Sequence, residues 1–159
     1  MRHTLFTAVI SSMLLISCTG RDLLVEAERF DDLGGWTLDE QFRDQVGSAY
    51  LLAHGLGQPV ADASTMVKLP SSGEYHVWVR TYNWNAPWDA SMAPGVFQLS
   101  VDGRIISEKL GDEPVEWGWQ YAGRVQARDK NIRVALHDLT GFEGRCDAIY
   151  FSRCSHPEL

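Results

Sequence analysis

The stretch Glu74-Tyr75-His76-Val77-Trp78-Val79-Arg80 carries the clearest structural signal in the sequence. Apolar residues alternate with polar or amphipathic ones, and this period of two is typical of a strand with one buried face. Every second residue from Tyr75 is expected to face the core, and the outer side then carries Trp78 between His76 and Arg80. An indole between two basic groups predicts either a ligand platform or a surface that a loop covers.

Similar short runs recur from Leu23 onward, and no segment of ten or more residues has a convincing period of 3.6 residues. Asp102-Gly103 between two of these runs is typical of a hairpin turn, because glycine tolerates positive φ. Ten strands are predicted, near residues 23–30, 36–38, 49–53, 64–69, 74–82, 96–101, 104–110, 119–126, 131–137 and 148–152. Short strands in this number predict an all-β fold, a two-sheet antiparallel β-sandwich of the jelly-roll type.

The composition is that of one folded domain. The chain has 159 residues, 45% of them hydrophobic, and a formal net charge of -7. The hydrophobic fraction excludes a disordered chain, and the acidic balance argues against a nucleic-acid partner, whose phosphates require a cationic surface. Six Trp, five Tyr and six Phe are more aromatic residues than the core of a small sandwich requires.

The first residues have the pattern of an export signal. Arg2 and His3 precede an apolar run from Leu5 to Ile16, which is shorter than the roughly 20 residues of a membrane-spanning helix. Leu15-Ile16-Ser17-Cys18 resembles the lipobox of bacterial lipoproteins, in which the chain is cut before the cysteine and the thiol receives lipid. The alternative is an ordinary secretory signal with an incidental cysteine.

This pattern predicts an exported protein, lipid-anchored to the bacterial cell envelope at the outer membrane or cell surface. Its only membrane contact is then the lipid on Cys18. The predicted divisions are a lipoprotein signal peptide over 1–17, a linker from lipidated Cys18 over 18–22, the β-sandwich over 23–154 and a tail over 155–159.

Four motifs occur in order, and they are Val25-Glu26-Ala27-Glu28, Gly73 to Arg80, Leu99 to Gly103 and Cys146 to Tyr150. Together they resemble the galactose-binding-like β-sandwich modules that bind carbohydrate, of the type of families 6 and 35. The resemblance covers residues 24–152 and implies a non-catalytic binding domain. Residues 50–57 and 135–142 are also similar to modules appended to bacterial FAD-dependent oxidoreductases and polysaccharide-degrading enzymes, which implies an accessory role.

The resemblance also implies a structural calcium ion. Glu26 and Glu28 lie two residues apart on the predicted first strand, so both carboxylates leave the same face and repel each other unless a cation or an arginine lies between them. In similar modules an aspartate of the closing strand, here Asp147, completes the site. The alternatives are a solvated face or pairing with Arg29 or Arg145.

Aromatic residues in the predicted loops give a second functional signal. A flat indole buries the apolar face of a sugar ring, while amide, carboxylate or guanidinium groups beside it bond the hydroxyls. The predicted ligand-binding residues are Trp84, Trp88, Asn83, Asn85, Asp89, Trp117, Trp119, Trp78 and Arg80. The alternative is that these indoles fold back as a lid over the core.

No catalytic residues are predicted. Side chains of the adjacent pair His137-Asp138 point to opposite faces of a strand, and His54 and Glu143 could act as acid or base only if the fold brings them together. The predicted function is a non-catalytic carbohydrate-binding module on an exported lipoprotein, with a polysaccharide or oligosaccharide as its partner. The alternative is a docking domain of an oxidoreductase or polysaccharide-degrading enzyme, which packs its Trp-rich loops on that partner protein.

Overall fold

The computed structural model describes residues 21–159, so the predicted signal peptide and Cys18 lie outside the described residues. The strands of the described part are β1 Leu23–Glu26, β2 Thr37–Asp39, β3 Tyr50–His54, β4 Ala63–Lys68, β5 Gly73–Thr81, β6 Phe97–Val101, β7 Arg104–Ile105, β8 Gly118–Ala127, β9 Asn131–Asp138 and β10 Phe142–Ser152. A 3-10 helix spans Ala27–Arg29, and two one-turn helices are α1, Arg43–Val46, and α2, Ala86–Asp89. Among residues 21–159 there is no helix of the length and apolarity that crossing a membrane requires.

The strands form two antiparallel sheets packed face to face, which confirms the predicted all-β sandwich. Sheet A has the order β2-β3-β10-β5-β8, with β1 also paired to β10, and sheet B has the order β4-β9-β6-β7. β10 is long enough to pair with β3 through its first half and with β1 through its second. β5 and β10 therefore lie at the centre of sheet A.

The predicted alternation along β5 is confirmed. Tyr75, Val77 and Val79 are fully buried in the core between the sheets, while the residues between them are half-buried on the outer face of sheet A. Across the core, Phe97 and Leu99 of β6 are also fully buried. Removing such side chains from water stabilises the sandwich by roughly 1.5–3 kcal/mol each.

The predicted first strand, near residues 23–30, is too long. Pairing with β10 stops at Glu26, and the chain then turns through the 3-10 helix, where the Phe30 N–H donates to the carbonyl of Ala27 at 3.1 Å. Glu26 and Glu28 consequently do not leave the same face of one strand. The turn is stabilised by Ala27, which is fully buried.

Two other strand lengths differ from the prediction. β7 contains two residues instead of the predicted 104–110, because regular pairing with β6 ends at Ile105 and returns only as an isolated bridge between Leu110 and Phe97 before β8 begins. β10 begins at Phe142 instead of near 148, since pairing with β3 extends it across Gly144. Glu143 has a φ of 63° and forms a bulge there, which lets the strand continue past this irregular position.

Candidate functional site

Three loops meet at one end of the sandwich, and a cleft lies between them. They are the segment after β2 that contains α1, the segment after β5 that contains α2, and the segment that precedes β8. The cleft has a volume of about 710 Å³, within the range of ligand pockets. Its lining residues are Phe42, Gln45, Arg80, Tyr82, Ala86, Pro87, Val115, Glu116 and Trp117.

Three rings form one side of this cleft, and we call Phe42, Tyr82 and Trp117 the aromatic wall. The centroid of Phe42 lies 5.6 Å from that of Tyr82 and 6.1 Å from that of Trp117, and the Tyr82 and Trp117 rings are 5.8 Å apart. Behind the wall, the buried Tyr50 contacts Trp117 edge-on at 4.8 Å. Burial raises the pKa of Tyr50 to about 12, so this ring is neutral at physiological pH.

The polar end of the cleft is held by Arg80. Its guanidinium donates to Asp147 Oδ2 at 3.2 Å and to the carbonyls of Gln45 and Val46 at 3.4 and 3.5 Å. These bonds connect α1 to the centre of sheet A. The Arg80 side chain remains 27% exposed, and Glu116 and Gln45 add further polar groups to the lining.

A cluster of carboxylates lies behind Arg80. Burial raises the pKa of Asp147 to about 6; the Arg80 charge opposes this, and the charges of Glu26 and Glu28 add to it. Burial and the charge of Glu28 also raise the pKa of Glu26. Arg80 is therefore the counter-charge of Asp147, while the charges of Arg29 and Arg80 both act to lower the pKa of Glu26.

Two oxygens of this cluster, Glu28 Oε2 and Asp147 Oδ1, are buried without a hydrogen-bond partner. Unpaired buried oxygens of this kind are what a hard cation such as Ca²⁺ takes as ligands. Within residues 21–159, however, no three His, Cys, Asp or Glu side chains are grouped so that they could hold a metal ion. Of the three predicted calcium ligands, Glu28 and Asp147 thus carry unpaired oxygens, and Glu26 contributes charge nearby.

The predicted polar ligands of the loop after β5 instead hold that loop together. Asn83 is 1% exposed, donates to the carbonyl of Met92 at 3.1 Å and accepts the Asn85 N–H at 3.2 Å. Asn85 donates to the carbonyl of Asp89 at 2.8 Å. The Asp89 carboxylate accepts bonds from the N–H and hydroxyl of Ser91, and neither these three polar residues nor the two indoles of this loop line the cleft.

The indoles of Trp84 and Trp88 lie at an exposed apolar surface outside the cleft. Trp84 donates its indole N–H to the carbonyl of Phe142 at 2.9 Å and contacts Trp88 edge-on at 6.3 Å. Trp88 is 78% exposed, Phe142 is 50% exposed, and Leu56, beside the glycine that packs under the Phe142 ring, is 80% exposed. We call Trp88, Phe142 and Leu56 the apolar patch.

The predicted residues Trp78 and Trp119 lie on the outer face of sheet A. Trp78 contacts Tyr121 at 4.8 Å, and Trp119 contacts Tyr150 at 6.0 Å. We call these four rings the outer aromatic row. Trp119 is paired across the strands with Arg80, so the row leads up to the polar end of the cleft.

The four residues considered as acids or bases from the sequence, His137, Asp138, His54 and Glu143, all lie outside the cleft. His137 lies 2.8 Å from the carboxylate of Asp62 at the surface, whereas the Asp138 carboxylate points inward, which confirms their opposite faces. The fold does bring His54 to 3.2 Å from Glu143, with 49% and 34% of the side chains exposed. This pair lies outside the lining of the cleft.

Sequence reasoning placed Arg80 and Trp117 in the site, and both line the cleft. It did not identify Phe42 and Tyr82. Tyr82 directly follows β5, and an aromatic residue at the end of a central strand was the one signal that could have indicated it. Phe42 precedes a one-turn helix, and no local pattern marks it.

Comparisons with known proteins concern the fold. No protein-family model matches the chain, and no curated protein matches it. A family 35 carbohydrate-binding module from Clostridium thermocellum matches with a TM-score of 0.61 at 18% identity, over 82% of this chain and 97% of the module. This chain has the fold of a carbohydrate-binding module. A family 36 module of a multidomain xylanase from the hindgut metagenome of Trinervitermes trinervoides gives a TM-score of 0.61 at 13% identity, over 86% of this chain and 100% of the module.

A longer enzyme also matches this carbohydrate-binding-module fold. The GH26-CBM35 β-(1,4)-mannanase of Podospora anserina gives a TM-score of 0.64 at 13% identity, over 87% of this chain. The chain spans only 29% of the length of that mannanase. At sequence identities of 13 to 18%, these structural similarities show a shared fold and no more.

Proposed function

We propose that the protein binds a carbohydrate chain in the cleft beside the aromatic wall. The observation that carries this proposal is the juxtaposition of Phe42, Tyr82 and Trp117 with Arg80 in one open cavity. Aromatic rings bury the apolar face of a sugar, and the guanidinium and neighbouring polar groups bond its hydroxyls. The outer aromatic row continues from Arg80 and offers further rings to a longer chain. Glycan-array binding with cleft variants tests the proposal.

The proposed role is non-catalytic. Glycoside hydrolysis uses two carboxyl groups on either side of the scissile bond. Among the described residues that line the cleft, Glu116 is the one carboxylate, and the nearby Asp147 is bonded to Arg80. This arrangement supports binding without bond cleavage.

Calcium is proposed as a structural ion at the carboxylate cluster. The support is the pair of buried, unpaired oxygens on Glu28 and Asp147, and Arg80 is the counter-charge of Asp147 when no ion is bound. An ion that binds only the folded protein raises its stability according to the ion concentration and Kd. The ion requires no part in ligand binding.

Removal of calcium is therefore expected to lower the melting temperature. An ion at about 100 times its Kd contributes about 2.7 kcal/mol, which corresponds to several degrees for a domain of this size. The measurement compares thermal unfolding after exhaustive chelation with unfolding after calcium is restored. The control is Glu28→Gln, which should unfold at the same temperature with and without the ion. Equal melting temperatures for the native protein in both buffers would contradict calcium binding at this cluster, and Arg80 would then be the counter-charge that remains for Asp147.

Export and lipid anchoring at Cys18 are proposed from the lipobox in the sequence. In a bacterial host with lipoprotein processing, the full chain is expected to be recovered with the membranes, with the mass of a diacylated chain that begins at Cys18. Cys18→Ser is expected to release it into the soluble exported fraction. A native protein recovered without lipid contradicts the anchor and leaves the cleft proposal untouched.

A second candidate function is docking onto an enzyme partner through the apolar patch. The observation that favours it is the exposure of Trp88, Phe142 and Leu56 at one end of the sandwich, since exposed apolar patches mark interaction surfaces. The occurrence of a family 35 module in a longer mannanase supports an accessory role of this kind. Trp88→Ala separates the two functions, because Trp88 belongs to the patch and does not line the cleft.

A further inference from the structure

An arginine-lined cavity lies on the flank of the sandwich, away from the cleft. It has a volume of about 460 Å³ and lies between β7 and β8, which are edge strands of the two sheets. On β8 it begins at Arg124, six residues after Gly118, which lies at the cleft end. At about 3.3 Å per residue, this separation is about 20 Å.

Three arginines line this flank cavity, and they are Arg104, Arg124 and Arg128. Within residues 21–159, the side chains of Arg104 and Arg128 form no hydrogen bond or ion pair. Arg124 lies 3.7 Å from Glu74, and both of these side chains are more than half exposed. Such an exposed ion pair contributes little to the stability of the fold, so Arg124 can leave Glu74 and bind another anion at small cost.

Acidic groups near the cavity leave the arginines available. Asp102, which also lines it, uses Oδ1 to accept the backbone N–H of Arg133 at 2.8 Å. Among residues 21–159, Glu108 forms no ion pair with any of the three arginines. The chain has a net charge of -7, yet three arginines are grouped here and two of their side chains have no acidic partner in the described part of the chain. They form a local cationic site.

The remaining lining matches a sugar ring better than a free inorganic anion. Ile105 is 52% exposed and Ile106 is half-buried, and they give the cavity an apolar side. Gln126 adds an amide group to the lining, and Ser107 adds a hydroxyl group. Arginine's planar fork binds a carboxylate or sulfate through two parallel hydrogen bonds.

We propose that this flank cavity is a second glycan site, which binds sugar residues that carry a carboxylate or a sulfate. The assignment to a glycan rests on the proposed carbohydrate-binding function, whereas the preference for anions rests on the arginines alone. The cleft and the flank site lie at different ends of β8 and act independently. A polymer bound at the flank places its charged groups against Arg104 and Arg128, with its apolar ring face on Ile105.

The test measures retention of the native protein by three immobilised polymers: polygalacturonate, which carries carboxylates, dextran sulfate, and uncharged dextran. We expect the double variant Arg104→Ala/Arg128→Ala to bind one or both charged polymers at least tenfold more weakly, with an unchanged melting temperature because both side chains are exposed. The matched control Arg21→Ala/Lys68→Ala removes the same charge at exposed positions elsewhere and should bind as the native protein does. The two charged polymers show which anion the site prefers.

The readout for the flank site is the difference between the two double variants on charged polymers, whereas the readout for the cleft is the loss of neutral-glycan binding in Trp117→Ala, so the two proposals can fail separately. The flank proposal is overturned if the native protein binds the charged polymers no better than dextran, or if both double variants weaken binding equally. It is also overturned if a single-stranded DNA oligonucleotide binds as tightly as the charged glycans at about 0.15 M salt, because the arginines would then attract any polyanion.

Discussion

Replacement of Trp117 with Ala is expected to weaken binding of a retained polysaccharide at least tenfold, a loss of about 1.4 kcal/mol. Trp117 is the largest ring of the aromatic wall, and its contacts with Phe42 and Tyr82 hold the other two rings in place. Removal of the indole therefore takes away a stacking surface and loosens the remaining wall. Affinity electrophoresis or calorimetry with a glycan-array ligand gives the change in Kd.

Two variants keep this result interpretable if Trp117→Ala also lowers stability. Trp117→Phe retains a ring against Tyr50 and should keep the fold and part of the affinity. Trp88→Ala removes an indole that is 78% exposed, outside the cleft, and should bind as the native protein does. If Trp88→Ala abolishes retention while folded Trp117→Ala does not, the ligand lies at the apolar patch.

Asp138→Ala is expected to lower the free energy of unfolding by about 2–4 kcal/mol. The Asp138 carboxylate is 1% exposed and accepts the backbone N–H groups of Val60 and Gly141 at 2.9 Å and that of Thr140 at 3.2 Å. Its loss leaves these donors without an acceptor and frees two loops from the end of β9. Urea or thermal unfolding measures the change.

Two variants serve as controls for Asp138→Ala. Asp138→Asn retains one acceptor oxygen and should fall between the native protein and the alanine variant. Asp62→Ala removes an exposed carboxylate whose one side-chain partner among residues 21–159 is His137, so its effect should stay near 0.5 kcal/mol or below. Equal stability of Asp138→Ala and the native protein would contradict the role of this carboxylate in holding the loops.

The sandwich could be predicted because its signals are local. The alternation in β5 and the Asp102-Gly103 turn each depend on a few consecutive residues, and both occur where expected. The strand lengths depend instead on pairing partners. β10 extends through Gly144 because β3 lies beside it and pairs with it there. The residues around Gly144 do not by themselves show which strand will be their neighbour.

The site could be predicted only in part, because loops assemble it. Arg80 belongs to a regular strand, so its outward direction followed from the alternation. Phe42 and Tyr82 come from separate irregular segments and meet Trp117 only in the folded chain. The polar residues of the loop after β5 have the composition of a sugar site, yet Asn83 uses its amide to hold the loop.

The position of the ligand is tested most directly by the indole N–H signals of the six tryptophans in NMR spectra recorded while a glycan-array ligand is added. We expect the signal of Trp117 to shift in a saturable way, with those of Trp78 and Trp119 following for longer chains. The signal of Trp36, which is 2% exposed in the core, should stay in place. A shift confined to Trp84 and Trp88, or no indole shift with any glycan that the protein retains, would contradict binding in the cleft.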